Sequence, residues 1–102
     1  MEQYQGGVLE KKRTELKEPK RYKVIMHNDD VTTFEFVIKV LVQVFRKTVA
    51  EAENTALFIH EKGAAVLGVF SYDMALTKKD KATGMARKEG FPLQLSVTPE
   101  DE

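Results

Sequence analysis

The 102-residue sequence predicts an α+β fold: a small open-faced sandwich of three helices on a three-stranded antiparallel sheet, in the order β-α-α-β-α-β. Three observations predict it. Residues 22–27 and 91–97 alternate apolar and polar side chains, and 64–70 is a short, nearly continuous apolar run. Three longer segments follow a Thr or Ser able to cap a helix. The joints carry turn-forming and helix-ending residues: Asn28-Asp29-Asp30, Gly63 and Gly90.

Residues 1–19 hold Gly6-Gly7, a dense mix of Glu, Lys and Arg, and few sizeable apolar groups (Tyr4, Val8, Leu9, Leu16). Such a segment buries too little to offset its ordering entropy, so a disordered N-terminal arm is expected, closed by Pro19. A core domain should span 20–99. Its first strand sets Tyr22, Val24 and Met26 on one side and Lys23 and His27 on the other, with Ile25 suggesting partial cover of the second face. The Asx residues 28–30 end it. Thr32 with Glu35 reads as a capping box opening helix one, whose polar stripe is Glu35, Lys39, Gln43 and Arg46. Most of its other positions are apolar, so it must be largely covered.

Thr48 with Glu51 repeats the box before helix two. There Val49, Ala52, Ala56, Ile59 and His60 share a face, and Gly63 reads as the C-cap. The run 64–70 reads as a central strand. Ser71 should cap a third, more polar helix over about 72–88, in spite of Gly84, with Gly90 closing it. Phe91, Leu93, Leu95 and Val97 then alternate with Gln94 and Ser96 as the last strand. The acidic end, Glu100-Asp101-Glu102, should fray.

Lys+Arg and Asp+Glu both number 16, which argues against a nucleic-acid binder. Cysteine is absent, which excludes disulfides and thiolate catalysis. No apolar run approaches the roughly 20 residues of a membrane span, and the first residues lack the apolar stretch of a secretory signal. A cytoplasmic protein without membrane contact is expected.

Two places could carry chemistry. His27-Asn28-Asp29-Asp30 reads either as a turn with helix-entry carboxylates or as part of a metal or acid/base site. His60, on an apolar face, reads either as a satisfied core residue or as a partner of that corner. No nucleophile elbow or phosphate loop supports an enzyme. The run Lys78-Lys79-Asp80-Lys81 reads as a solvated face, with a docking patch as the alternative.

Taken together, the stretch Tyr22–Asp30, Thr32, Glu35-Phe36-Val37, Ala52, Ile59-His60, Gly63–Val66, Gly68-Val69-Phe70 and Pro92-Leu93 resembles the ClpS family of Clp protease adaptors, the bacterial readers of the N-end rule. The likeness covers roughly residues 20–98. It implies a non-enzymatic adaptor without a cofactor or metal, which captures the first residue of a substrate protein. By the resemblance Asn28, Asp29 and His60 would hold the free α-amine and first peptide unit. Thr32, Phe34, Val37, Ala56, Ile59 and Leu93 would line the side-chain pocket. Asp73 and Lys78 would dock on the N-domain of a ClpA- or ClpC-like AAA+ ATPase, and the arm would serve delivery.

Such a site suits substrates beginning with Leu, Phe, Tyr or Trp. An ammonium has three donors for these acceptors, and an apolar side chain gains by burial. Several departures from the family pattern bear on preference: Phe34 stands where Met is frequent, Thr33 replaces a frequent Pro, and Ala56 is smaller than usual. Leu76 replaces an acidic residue near the docking patch. The competing reading is a structural interaction module, since the fold also resembles the C-terminal domain of the ribosomal stalk protein. An enzyme reading would cast His60 as base and Asp29 or Asp30 as a metal ligand or orienter.

Overall fold

The computed structural model describes residues 19–102. The arm expected over 1–19 lies, but for Pro19, outside them. Strand β1 (Tyr22–His27) pairs antiparallel with β2 (Ala64–Phe70) on one side and β3 (Gln94–Pro99) on the other, giving the order β2-β1-β3. Helices α1 (Phe34–Gln43), α2 (Val49–Lys62) and α3 (Tyr72–Lys88) complete the α+β sandwich. Alternation on β1 aims Val24 and Met26 into the core, each 0% exposed. None of these helices is long and apolar enough to cross a membrane.

The expected central strand at 64–70 is instead an edge strand, and β1 is central. Its apolar run has another cause. Val24 pairs with Gly68 but Ile25 pairs with Val66, so Leu67 is an extra residue on β2. Leu67 turns into the core at 5% exposure while Val66 stays at 51%. Gly68 leaves room for a close approach: a Cβ there would lie 2.7 Å from the Phe70 ring, which would have to shift.

The helix ends follow local chemistry. Thr48 Oγ1 accepts from Glu51 N at 3.1 Å and Glu51 Oε1 accepts from Thr48 N at 2.9 Å, completing the expected box at the start of α2. Gly63 ends α2 with φ 97°. Ser71 Oγ accepts from Met74 N at 3.3 Å to cap α3. At its far end Phe91 N donates to Ala86 O and Gly90 N to Arg87 O, a Schellman closure with Gly90 at φ 80°.

Helix α1 departs from expectation at both ends. Its cap is Thr33, whose hydroxyl accepts from Phe36 N at 3.1 Å. The Thr32–Glu35 box does not form: the Thr32 N–H that Glu35 would accept goes to Asp29 Oδ1, and the Thr32 hydroxyl donates to Asp29 Oδ2. At the other end α1 stops at Gln43, short of Arg46. Arg46 sits in the left-handed region at φ 58°, and Lys47 N closes back on Leu41 O. A side chain there costs about 1–2 kcal/mol. The last strand likewise begins at Gln94, leaving Phe91–Leu93 as a connector. The terminal residues expected to fray make contacts: Glu100 N donates to Arg21 O at 2.8 Å, and Lys23 Nζ to Glu102 O at 2.7 Å.

Candidate functional site

Asp29 organises the loop between β1 and α1. Its Oδ1 accepts from the backbone N–H of Val31 at 2.8 Å and of Thr32 at 2.7 Å, and its Oδ2 accepts the Thr32 hydroxyl at 2.7 Å. Burial pushes the pKa of this carboxyl upward. The Thr32 backbone and hydroxyl bonds, the Val31 bond and the charge of Arg87 together outweigh it and hold the group below its ordinary value. Three of about four acceptor positions are thus used within the chain, leaving Oδ2 able to meet one more donor. The loop is tied to the end of α2 by Asn28 N, which donates to Gly63 O at 2.8 Å.

Between this loop, the start of α1 and the last turns of α2 lies a cavity of about 430 Å³. Asn28, Asp29, Asp30, Thr32, Phe34, Val37, Ala56, Ile59 and His60 line it. Its floor is buried and apolar: Val37 is 9% exposed, Ala56 3% and Ile59 2%. Helical spacing explains the set, since Ala56, Ile59 and His60 stand at i, i+3 and i+4, and Phe34 and Val37 at i and i+3. The rim is polar, with Asn28, Asp30 and His60 exposed, and neither Lys nor Arg is among the lining residues. In shape and polarity the cavity is complementary to a ligand with an apolar body and a donor-rich, cationic head.

Residues 17–96 match the family described as ATP-dependent Clp protease adaptor protein ClpS. The chain belongs to the ClpS family. It is 44% identical to the ClpS adapter protein of Clostridium acetobutylicum over 87 residues, covering 85% of this chain and 86% of that one. The ClpS of Oleidesulfovibrio alaskensis is 47% identical over 83 residues, covering 81% of this chain and 80% of that one. Among solved structures it is similar to ClpS2 of Agrobacterium tumefaciens bound to L-phenylalaninamide. That likeness has TM-score 0.79 and 41% identity, covering 81% of this chain and all of that one.

Within this ClpS-family fold the sequence-expected residues are distributed unevenly. All those expected to hold the amine, and all expected pocket residues except Leu93, line the one cavity. Leu93 is 1% exposed in the core and is not among the lining residues, whereas Asp30 is. Leu93 was legible as apolar, but the alternation that marks a strand does not tell core from pocket.

The two docking residues also differ. Asp73 is exposed in the first turn of α3. Lys78 is partly buried, donates from Nζ to Val44 O at 2.9 Å and lies over the Phe45 and Phe70 rings at 5.8 and 5.4 Å. Its ammonium therefore caps the end of α1, and the run it begins is not wholly a solvated face.

Sequence reasoning passed over Arg87. Its Nη1 donates to Phe91 O at 2.7 Å and Leu93 O at 2.9 Å. A basic residue in the last turn of a helix, just before a closing Gly, is the available signal.

Proposed function

We propose that this chain is a non-enzymatic adaptor that binds the N-terminal residue of substrate proteins in the cavity between the 28–32 loop, α1 and α2, and delivers those proteins to a Clp protease. The observation that carries it is the division of the cavity into a buried apolar floor and an exposed rim of acceptors. L-phenylalaninamide, the ligand of the Agrobacterium protein, combines a benzyl group, a free α-amine and an amide in place of the next peptide unit. Here Val37, Ala56 and Ile59, with Phe34 at the edge, take the side chain. Asn28, the remaining acceptor position on Asp29, and a His60 ring nitrogen take the ammonium and first peptide unit, with Asp30 adding negative charge at the rim.

Charge-assisted bonds contribute about 1.5–3 kcal/mol each, and burial of a Leu or Phe side chain about as much. After association costs of several kcal/mol the affinity is on the order of micromolar, which suits a protein that must also release its cargo. Bulky first residues (Leu, Phe, Tyr, Trp) are favoured. The partner is the N-domain of a ClpA- or ClpC-like ATPase in the cytoplasm, met through Asp73, with Lys78 contributing if its ammonium can leave the end of α1.

Fluorescence anisotropy with peptides differing only in the first residue tests this. Peptides beginning with Phe or Leu should bind, and those beginning with Ser or Glu should bind far less. Acetylating the α-amine removes a charge and two donors, and should weaken binding about a hundredfold or more. Phe34→Met should reorder the preferred first residues, because Phe34 stands at the cavity edge at 44% exposure. An acetylated peptide that binds as tightly as the free one would instead favour a module that docks by its helix faces alone.

A further inference from the structure

We propose that Arg87 is a positioning residue for this cavity: its guanidinium clamps the connector between α3 and β3, and through it fixes the α1 wall against the 28–32 loop. The inference rests on the binding function proposed above. Arg87 stands in the last turn of α3, and one nitrogen, Nη1, serves the carbonyls of both Phe91 and Leu93. Those carbonyls precede the first residue of β3, so the ladder with β1 does not begin until Gln94. A charged donor shared by two such carbonyls ties the connector down more firmly than the Schellman bonds alone.

What the connector carries is the backing of the site. The Phe91 ring meets the Phe36 ring edge-on with centroids 5.0 Å apart, and Phe36 is 6% exposed. Phe36 lies between Phe34 and Val37, the two α1 residues that line the cavity, and its N–H is held by the Thr33 cap. Leu93 fills the core beyond it at 1% exposure. The same guanidinium also acts electrostatically on Asp29, the carboxylate that braces Val31 and Thr32. One exposed side chain therefore bears on both walls without itself lining the cavity. A cap that merely ended α3 would lower stability and leave the cavity as it was.

The test uses the full chain and a fluorescent peptide beginning with Phe. Wild type is compared with Arg87→Met, Arg87→Lys and a control, Ala82→Gly, which weakens α3 at a fully buried position more than a turn before Arg87. Arg87→Met should weaken peptide binding about five- to tenfold, the loss expected of one or two hydrogen bonds. Lys keeps the charge and one donor path but not the planar fork, so Arg87→Lys should recover part of the loss. The control should keep its affinity within about twofold while losing at least as much thermal stability. In amide NMR spectra the Val31 and Thr32 signals should shift in Arg87→Met and stay in place in the control. Wild-type affinity in Arg87→Met overturns the proposal, as does a control that loses affinity in step with its stability. A wild-type chain that fails to bind the peptide at all overturns the function itself, and this inference with it.

Discussion

Asp29 braces the loop with the same carboxylate that we propose meets the substrate amine, and the bracing can be measured. Its three accepted bonds at 2.7–2.8 Å all come from Val31 and Thr32, so the brace of the loop takes most of its capacity. Asp29→Asn keeps one oxygen acceptor but loses the charge, and should lower stability by about 1–2 kcal/mol at neutral pH. The sign with pH follows from its lowered pKa. A carboxyl that ionises more readily when folded stabilises fully above its ordinary pKa near 4, and that stability is lost as pH falls through the folded value. The gap between wild type and Asp29→Asn in urea unfolding should therefore be open at pH 7 and shrink below about pH 4. A gap that stays constant through the acid range would mean that shape, not charge, holds the loop.

Among the elements, α1 is held at both ends by residues outside it. Thr33 serves its first turn, and no basic residue lies in its last. Lys78, from α3, supplies the missing cation at Val44 O, over the Phe45 and Phe70 rings. Lys78→Met keeps an apolar stem against those rings and removes the charge. The expected cost is about 1 kcal/mol, or roughly 4–8 °C in Tm for a domain of this size. Peptide affinity should be nearly unchanged, since Lys78 is not among the cavity-lining residues. A Lys78 variant that loses ATPase binding is thus ambiguous, whereas Asp73→Asn, at an exposed position, probes docking without touching a helix end. No change in Tm for Lys78→Met would show that the Val44 bond contributes nothing net.

Over the whole molecule, β2 spaces the two proposed surfaces, the cavity and the docking residue Asp73. It begins just after Gly63, the residue tied to Asn28 beside the cavity, and ends at Phe70, shortly before Asp73. Seven extended residues span roughly 20 Å, so a captured N-terminus and a docked ATPase domain need not collide. Capture and delivery are then separable. Deleting residues 1–18 should leave peptide affinity within about twofold, because every residue lining the cavity lies beyond them. Degradation of a Phe-starting model substrate by the ATPase–protease should nevertheless fall. Normal degradation by the truncated chain would remove delivery from the arm's duties.

What the sequence by itself determined were the features set within a few residues: element order, the Thr48–Glu51 box, the Ser71 cap, the glycine ends and the apolar faces of α1 and α2. These depend on backbone groups and side chains one or two turns apart, so their residue types suffice. Eight of the nine cavity residues were legible only because the family resemblance gathered what periodicity left scattered over two helices and a loop. Tertiary structure alone decided that β1 is central, that Leu67 bulges inward, that Leu93 is core, that Lys78 caps a helix it does not belong to, and that Arg87 ties down the connector after α3. Even the loss of the Thr32–Glu35 box turned on a competitor, the Asp29 carboxylate, which takes the Thr32 N–H that the Glu35 side chain would accept. Each of these is a choice between partners that local pattern permits equally, and only the packed chain brings the winning partner within reach.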